Sequence, residues 1–254
     1  MKFLLSFLFL VMLSGLEVCF SQTKFIHVFV CLCDNDNQGI VPVPKKIGNG
    51  SDPDNNLYWG CAFGMRTYFK NASEWQFVSS TKNLNKIILE RCIYKHKTSN
   101  AIIVADAYKG INMRECLDDY FQSLSGNDTD TIKAAGKIFL LGSSNLVAFI
   151  GHDGLMDTQF ATYPKQKGTK KRDAMIFCCY SKEYFSDAVK SAGANPLLWT
   201  TGLMSPEAYS LKAALDGWLV NETGQQIRER SAQAYDKYQK CGIKGARGLF
   251  TTGW

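Results

Sequence analysis

The sequence predicts an α/β protein built on a mostly parallel sheet with helices on both faces, layered as a three-layer sandwich. Three observations carry that expectation. Near-continuous apolar runs of strand length recur along the chain, helix-like periodicity falls between them, and 254 residues with 46% apolar content suffice for a substantial core. Strands that alternate with helices imply βαβ units with right-handed crossovers, so both faces of the sheet need cover.

The elements follow in order. Residues 1–22 have the layout of a secretory signal peptide: Lys2, an apolar run from Phe3 to Leu13, then Ser14, Gly15 and a stretch ending near Ser21-Gln22. That run is shorter than the roughly 20 residues a membrane-spanning helix needs, and no later uncharged segment approaches such a length, so no transmembrane segment is expected. The predicted product is exported, periplasmic or secreted, with lipid anchoring at Cys19 disfavoured by the Leu-Glu-Val before it. Residues 23–254 then form one domain.

Phe25 to Cys33 reads as a strand buried on both faces, and it stops abruptly at Asp34-Asn35-Asp36-Asn37-Gln38-Gly39. The long loop that follows, with Pro42, Pro44, Gly48, Gly50 and Pro53, is of the kind that tends to be functional. A helix-like segment spans 56–69. Further strands are expected over 87–94, 101–107, 145–151, 174–179 and 196–200, and helices over 114–123, 130–141 and 182–192. Ser205-Pro206-Glu207 reads as a cap with proline at the first helical position. Two C-terminal helices are thus expected within about 205–240, the second beginning at Thr223 or Gly224.

Composition removes several function classes. The formal charge is +6, and its densest part is Lys165 to Arg172, which has no stacking aromatic woven into it. A solvated loop is expected there, not a nucleic-acid surface. Cys31, Cys33, Cys178 and Cys179 lie in apolar strand-like runs, where cysteine behaves as a small hydrophobe, so few disulfides are expected. No cysteine pair has zinc-ligand spacing with a histidine partner, and dinucleotide- or phosphate-binding glycine loops are absent. No cofactor and no metal are expected. Asp34, Asp36, Gln38 and Gly39 resemble the start of a calcium-binding loop, but its twelfth position is Lys45 where a bidentate Glu is required.

In open α/β sheets chemistry gathers beyond the carboxyl ends of the strands. The residues so placed are Asp34 to Gln38, Asp106 and Lys109, His152-Asp153-Gly154, and Cys179-Tyr180-Ser181. Of the three histidines, His27 lies within a strand and reads as a core residue, and His96 sits in an exposed basic turn. His152 directly follows an apolar strand. If the strands ending at His152 and Cys179 are neighbours, a general base and a nucleophile share one edge, and a nearby imidazolium lowers the thiol pKa.

An apolar strand ending in His-Gly, followed by one ending in a small residue, Cys, any residue and Ser, resembles the caspase-like superfamily, which includes legumain-, gingipain- and clostripain-type cysteine peptidases. Here the matching stretches are Val147-Ala148-Phe149-Ile150-Gly151-His152-Asp153-Gly154 and Met175-Ile176-Phe177-Cys178-Cys179-Tyr180-Ser181. The resemblance implies a caspase-like sandwich, with His152 as general acid/base, Cys179 as nucleophile, the amides of Gly154 and Cys179 as oxyanion donors, and a peptide or protein substrate. Asp153 between the histidine and the glycine, and the short span from 152 to 179, depart from the family. The stretches DNDNQGIVPVP and LLWTTGLMSPEAY are also similar to exported bacterial proteins of uncharacterised function. Asp34, Asp36 and Asp106 at the same edge are candidate substrate-binding carboxylates for a basic side chain. The competing expectation is a non-catalytic ligand- or peptide-binding domain of the cell envelope, in which the loop 34–56 closes over its ligand.

Overall fold

A computed structural model describes residues 22–254; residues 1–21 of the predicted signal segment, Cys19 among them, lie outside the described residues. Its centre is an eight-stranded sheet in the order β10-β9-β8-β7-β1-β4-β3-β2. The strands are β1 (Lys24–Cys31), β2 (Trp75–Lys82), β3 (Ile88–His96), β4 (Ala101–Tyr108), β7 (Leu146–Ile150), β8 (Asp173–Phe177), β9 (Asn195–Thr200) and β10 (Phe250–Thr251). A separate hairpin pairs β5 (Thr131–Ala134) with β6 (Lys137–Leu140). From β4 through β1, β7 and β8 to β9 the pairing is parallel, and β3, β2 and β10 attach antiparallel at the two margins.

Alternation along the parallel strands explains their near-continuous apolar runs. Val28 and Val30 of β1, Ala148 and Ile150 of β7, and Met175 and Phe177 of β8 face one core, while Phe29, Val147, Phe149, Ala174 and Ile176 face another. The first core is covered by α1 (Met65–Asn71), α4 (Ala208–Leu219), α5 (Gly224–Gln239) and α6 (Ile243–Leu249). The second is covered by α2 (Met113–Ser125) and α3 (Ser181–Ser191). The result is the mostly parallel α/β sandwich expected from sequence. Among the described residues no helix is long and apolar enough to cross a membrane.

Three local expectations are corrected, and one strand is found where none was expected. Residues 130–141 form the β5–β6 hairpin instead of a helix, because Ala135 and Gly136 both take positive φ (48° and 78°) and reverse the chain in two residues. Ile132 and Phe139 then pack on a small third core. The helix expected over 56–69 is confined to α1, since the side chain of Asn56 ties its own segment to Cys33 and Asn49 in turns. The polar segment 75–82 is an edge strand, its outer face exposed, which polarity alone hides. Finally, α4 begins at Ala208, with Ser205-Pro206-Glu207 outside the helix: the Ser205 amide donates to Tyr235 Oη, the Glu207 amide turns back to the Ser205 carbonyl, and the Ala208 amide donates to the Phe63 carbonyl.

Two charged positions also differ from expectation. His96 is buried edge-on against Trp75, and its Nδ1 accepts from the Ser99 amide (2.9 Å). Arg172, within the basic run, is buried as well, its guanidinium capping the Gly142 and Lys170 carbonyls.

Candidate active site

Strands β7 and β8 are direct neighbours, with Ile150 opposite Phe177, so the residues that follow them emerge side by side at the carboxyl edge. The loops after β1, β7, β8 and β9 enclose a pocket of about 420 Å³ at this edge, and its wall includes both His152 and Cys179. This is where the topology of a parallel sheet concentrates chemistry. From β1 comes the segment Gly39–Val43, from β7 come Gly151, His152 and Met156, and from β9 comes Leu203–Glu207.

His152 is held by its own turn. The chain beyond it folds back through bonds from the Met156 amide to the Asp153 carbonyl and from the Asp157 and Thr158 amides to the Gly154 carbonyl. The turn brings Asp157 Oδ2 to 2.6 Å from His152 Nε2. The same oxygen accepts from the Gly39 amide (3.1 Å), so one carboxylate orients the imidazole and pins the first pocket loop. With Nε2 engaged, Nδ1 is the ring nitrogen left for a second partner.

Cys179 leaves β8 at a sharp strand-to-helix corner. Tyr180 adopts the left-handed conformation (φ 47°, ψ 31°) and donates its amide to the Gly202 carbonyl (2.9 Å), and α3 starts at Ser181. A tyrosine in that region is conformationally costly, and the surrounding bonds impose it. Thr200 and Ser181 fasten the corner from beneath, Ser181 Oγ donating to the Ile176 carbonyl (3.0 Å) and Thr200 Oγ1 to that of Cys178. Cys179 Sγ accepts from the Met204 amide (3.4 Å) and points toward the Met204 carbonyl (3.7 Å). Cys178, in contrast, is fully buried and belongs to the core.

The electrostatics of the thiol differ from the sequence expectation. Burial pushes the Cys179 thiol up from its ordinary value, and the nearby Asp153 adds to the rise. The resting group is therefore a thiol and not a preformed thiolate. Asp153 itself is fully buried; its Oδ1 accepts from the Leu155 amide (3.0 Å), and its Oδ2 has no hydrogen-bond partner. Burial pushes this carboxyl up to about 7.

The remaining candidates are placed as follows. Gly154 does not line the pocket; it packs against α2, where an added Cβ would lie 2.2 Å from Met113 Cγ. Gly151 lines the pocket in its stead. Asp34 is buried under the loop, accepting from the Asp36 amide and from Asn37, with Gly50 and Gly110 pressed against its side chain. Asp36 is exposed outside the pocket. Asp106 is wholly buried, bridging Arg91 (2.5 Å) and His27 (3.0 Å), and those partners hold its carboxyl below the usual carboxylate range against the opposing cost of burial. None of the three aspartates reaches the pocket.

Two positions at the site were not legible as such in the sequence. Asp157 lies five residues beyond His152, and only the turn brings it back. Glu207, the one carboxylate in the pocket wall, sits in a segment that reads as a helix start. Among the described residues no group of three or more His, Cys, Asp or Glu side chains is arranged to hold a metal ion. Comparison of the chain with protein-family models, with curated proteins and with solved structures finds no match.

Proposed function

We propose that the chain is an exported cysteine hydrolase, most directly a peptidase, with Cys179 as nucleophile, His152 as general acid/base and Asp157 orienting the imidazole. The observation that carries this reading is that the imidazole and the thiol, each at the end of one of two paired parallel strands, line the same pocket. The resemblance of both strand ends to caspase-like peptidases supports the same assignment.

The chemistry follows from a thiol that rests protonated. As Cys179 Sγ attacks the substrate carbonyl, its proton passes to His152 Nδ1 and an S–C bond forms. The oxyanion is stabilised by backbone amides at this edge, those of Cys179 and Gly154 in the family pattern, with Gly151 the glycine nearer the cavity. His152 then protonates the amine as the C–N bond breaks, and water hydrolyses the thioester to release the acid. Because proton removal accompanies attack, the rate depends on the base and not on a standing thiolate.

A second reading, a non-catalytic ligand- or peptide-binding domain, is favoured by the raised thiol and by its ties to Met204. The test that separates the two is the pH dependence of Cys179 modification by iodoacetamide, followed by mass spectrometry in a Cys241→Ser background that removes the exposed thiol. The hydrolase requires labelling at neutral pH that falls on the order of 10²-fold in His152→Ala. A rate that rises only above the ordinary thiol value of ~8.5, and is the same in His152→Ala, leaves the binding domain.

A further inference from the structure

We propose that the pocket beside Cys179 selects an uncharged apolar side chain, aliphatic or aromatic, on the residue whose carbonyl is attacked. This rests on the reading of Cys179 and His152 as the reacting pair, and it replaces the basic-residue preference that Asp34, Asp36 and Asp106 suggested.

The lining is the first argument. Apart from the reacting pair, the wall is made mainly of Val43, Leu57, Met156, Leu203, Met204 and Pro206, and no lysine or arginine contributes to it. An acidic substrate side chain would leave water without a cation to receive it. The rim is the second argument. Val41, Leu203 and Met156 are 87%, 71% and 43% exposed, so three exposed large apolar side chains border one cavity. A side chain entering there covers them as it is covered, which is the arrangement that rewards apolar contact.

Glu207 is the group that would argue for a cation, and its bonds argue against that role. Its Oε2 already accepts from Tyr209 Oη (3.1 Å) and Gln239 Nε2 (3.1 Å), which tie it to α4 and α5. Burial pushes its carboxyl up, with Tyr209 acting the other way, and the two bonds hold it toward the helices. At 420 Å³ the cavity has room for a leucine- or phenylalanine-sized group, and the two methionines in its wall can adjust to either. Full burial of such a side chain is worth about 1.5–3 kcal/mol, or roughly 10- to 100-fold in rate constant over glycine.

The experiment uses the mature protein and a series of peptidyl acyloxymethyl ketones that differ only in the residue bearing the ketone: Gly, Leu, Phe, Lys, Arg, Asp and Asn. The readout is the second-order rate of Cys179 modification, so no turnover is needed, and iodoacetamide serves as the control without a side chain. The expected order places Leu and Phe at least tenfold above Gly, with Lys, Arg and Asp at or below Gly. Leu203→Gln and Met156→Gln, both at exposed positions, should each narrow the Leu-to-Gly ratio severalfold, a ratio in which any change in the intrinsic reactivity of the thiol cancels. Equal rates across the series, or Lys and Arg fastest with that advantage lost in Glu207→Gln, overturn the apolar assignment and leave the reacting pair intact. Failure of every reagent, iodoacetamide included, to modify Cys179 in a His152-dependent way removes the reacting pair itself.

Discussion

Asp157 is a surface carboxylate with an interior task. Its partly exposed side chain contributes little to stability, as exposed ion pairs do, yet it sets the direction of His152 and holds Gly39 at the pocket loop. Asp157→Asn should therefore leave the urea midpoint within about 0.5 kcal/mol of the parent, while the ketone modification rate of Cys179 falls on the order of tenfold or more through loss of imidazole orientation. An unchanged rate would assign the pair to the surface alone. His152 and Cys179 were legible in the sequence because chemistry-bearing residues directly after apolar strands have one place to go, the sheet edge. Asp34 and Asp106 satisfied the same rule and were misleading. Their side chains turn inward, Asp34 beneath the glycines of its loop and Asp106 into the bridge between Arg91 and His27, and strand-end position carries no information about that direction.

At the scale of elements, sequence periodicity succeeded where both faces of an element are buried. The parallel strands and the helices α2 and α3 fall within a few residues of expectation, since burial on both sides writes an apolar run and burial on one side writes a stripe. It failed at β2 and at the β5–β6 hairpin, elements exposed along much of their length, where backbone reversal and not side-chain burial decides the structure. The end of the chain shows the opposite case. Thr223 caps α5 by accepting from the Gln226 amide, while the Gln226 side chain accepts in return from the Thr223 amide (2.9 Å), a capping box readable as Thr followed by Gln. Thr223→Ala should cost about 1 kcal/mol in urea denaturation, with no effect on Cys179 modification, because α5 reaches the pocket through Tyr235 and Gln239, both remote along the helix from the cap.

For the molecule as a whole, Asp153 makes stability depend on pH. Its carboxyl titrates near 3.8 in the unfolded chain and at about 7 in the folded protein. A folded pKa above the unfolded one means that the stability is complete below about pH 4 and is lost as pH rises through 7, because the folded state must then hold an unpaired buried carboxylate. The loss is of the order of a few kcal/mol. Asp153→Asn removes the titrating group while keeping an oxygen for the Leu155 amide. The variant should be less stable than the parent or equal to it at pH 4.5 and more stable by roughly 2 kcal/mol at pH 8, as urea midpoints at the two values will show; parallel pH profiles would place the carboxyl in water. The sandwich architecture was legible because alternation of strands and helices admits few topologies, whereas the energetic position of Asp153 depends on its full burial with one oxygen left unpaired.

The strand order also governs how the chain reaches this state. β1 is the first strand among the described residues and lies with β7 at the middle of the sheet, yet both of its partners, β4 and β7, lie far downstream. No local hairpin can shelter it. Loop closure must precede the reward of pairing, so the chain folds slowly for its size, and during that interval the eight-residue run Lys24–Cys31, rich in β-branched and aromatic side chains, stands open to another copy of itself. A segment wholly secured in the finished protein is thus exposed to intermolecular aggregation on the way to it.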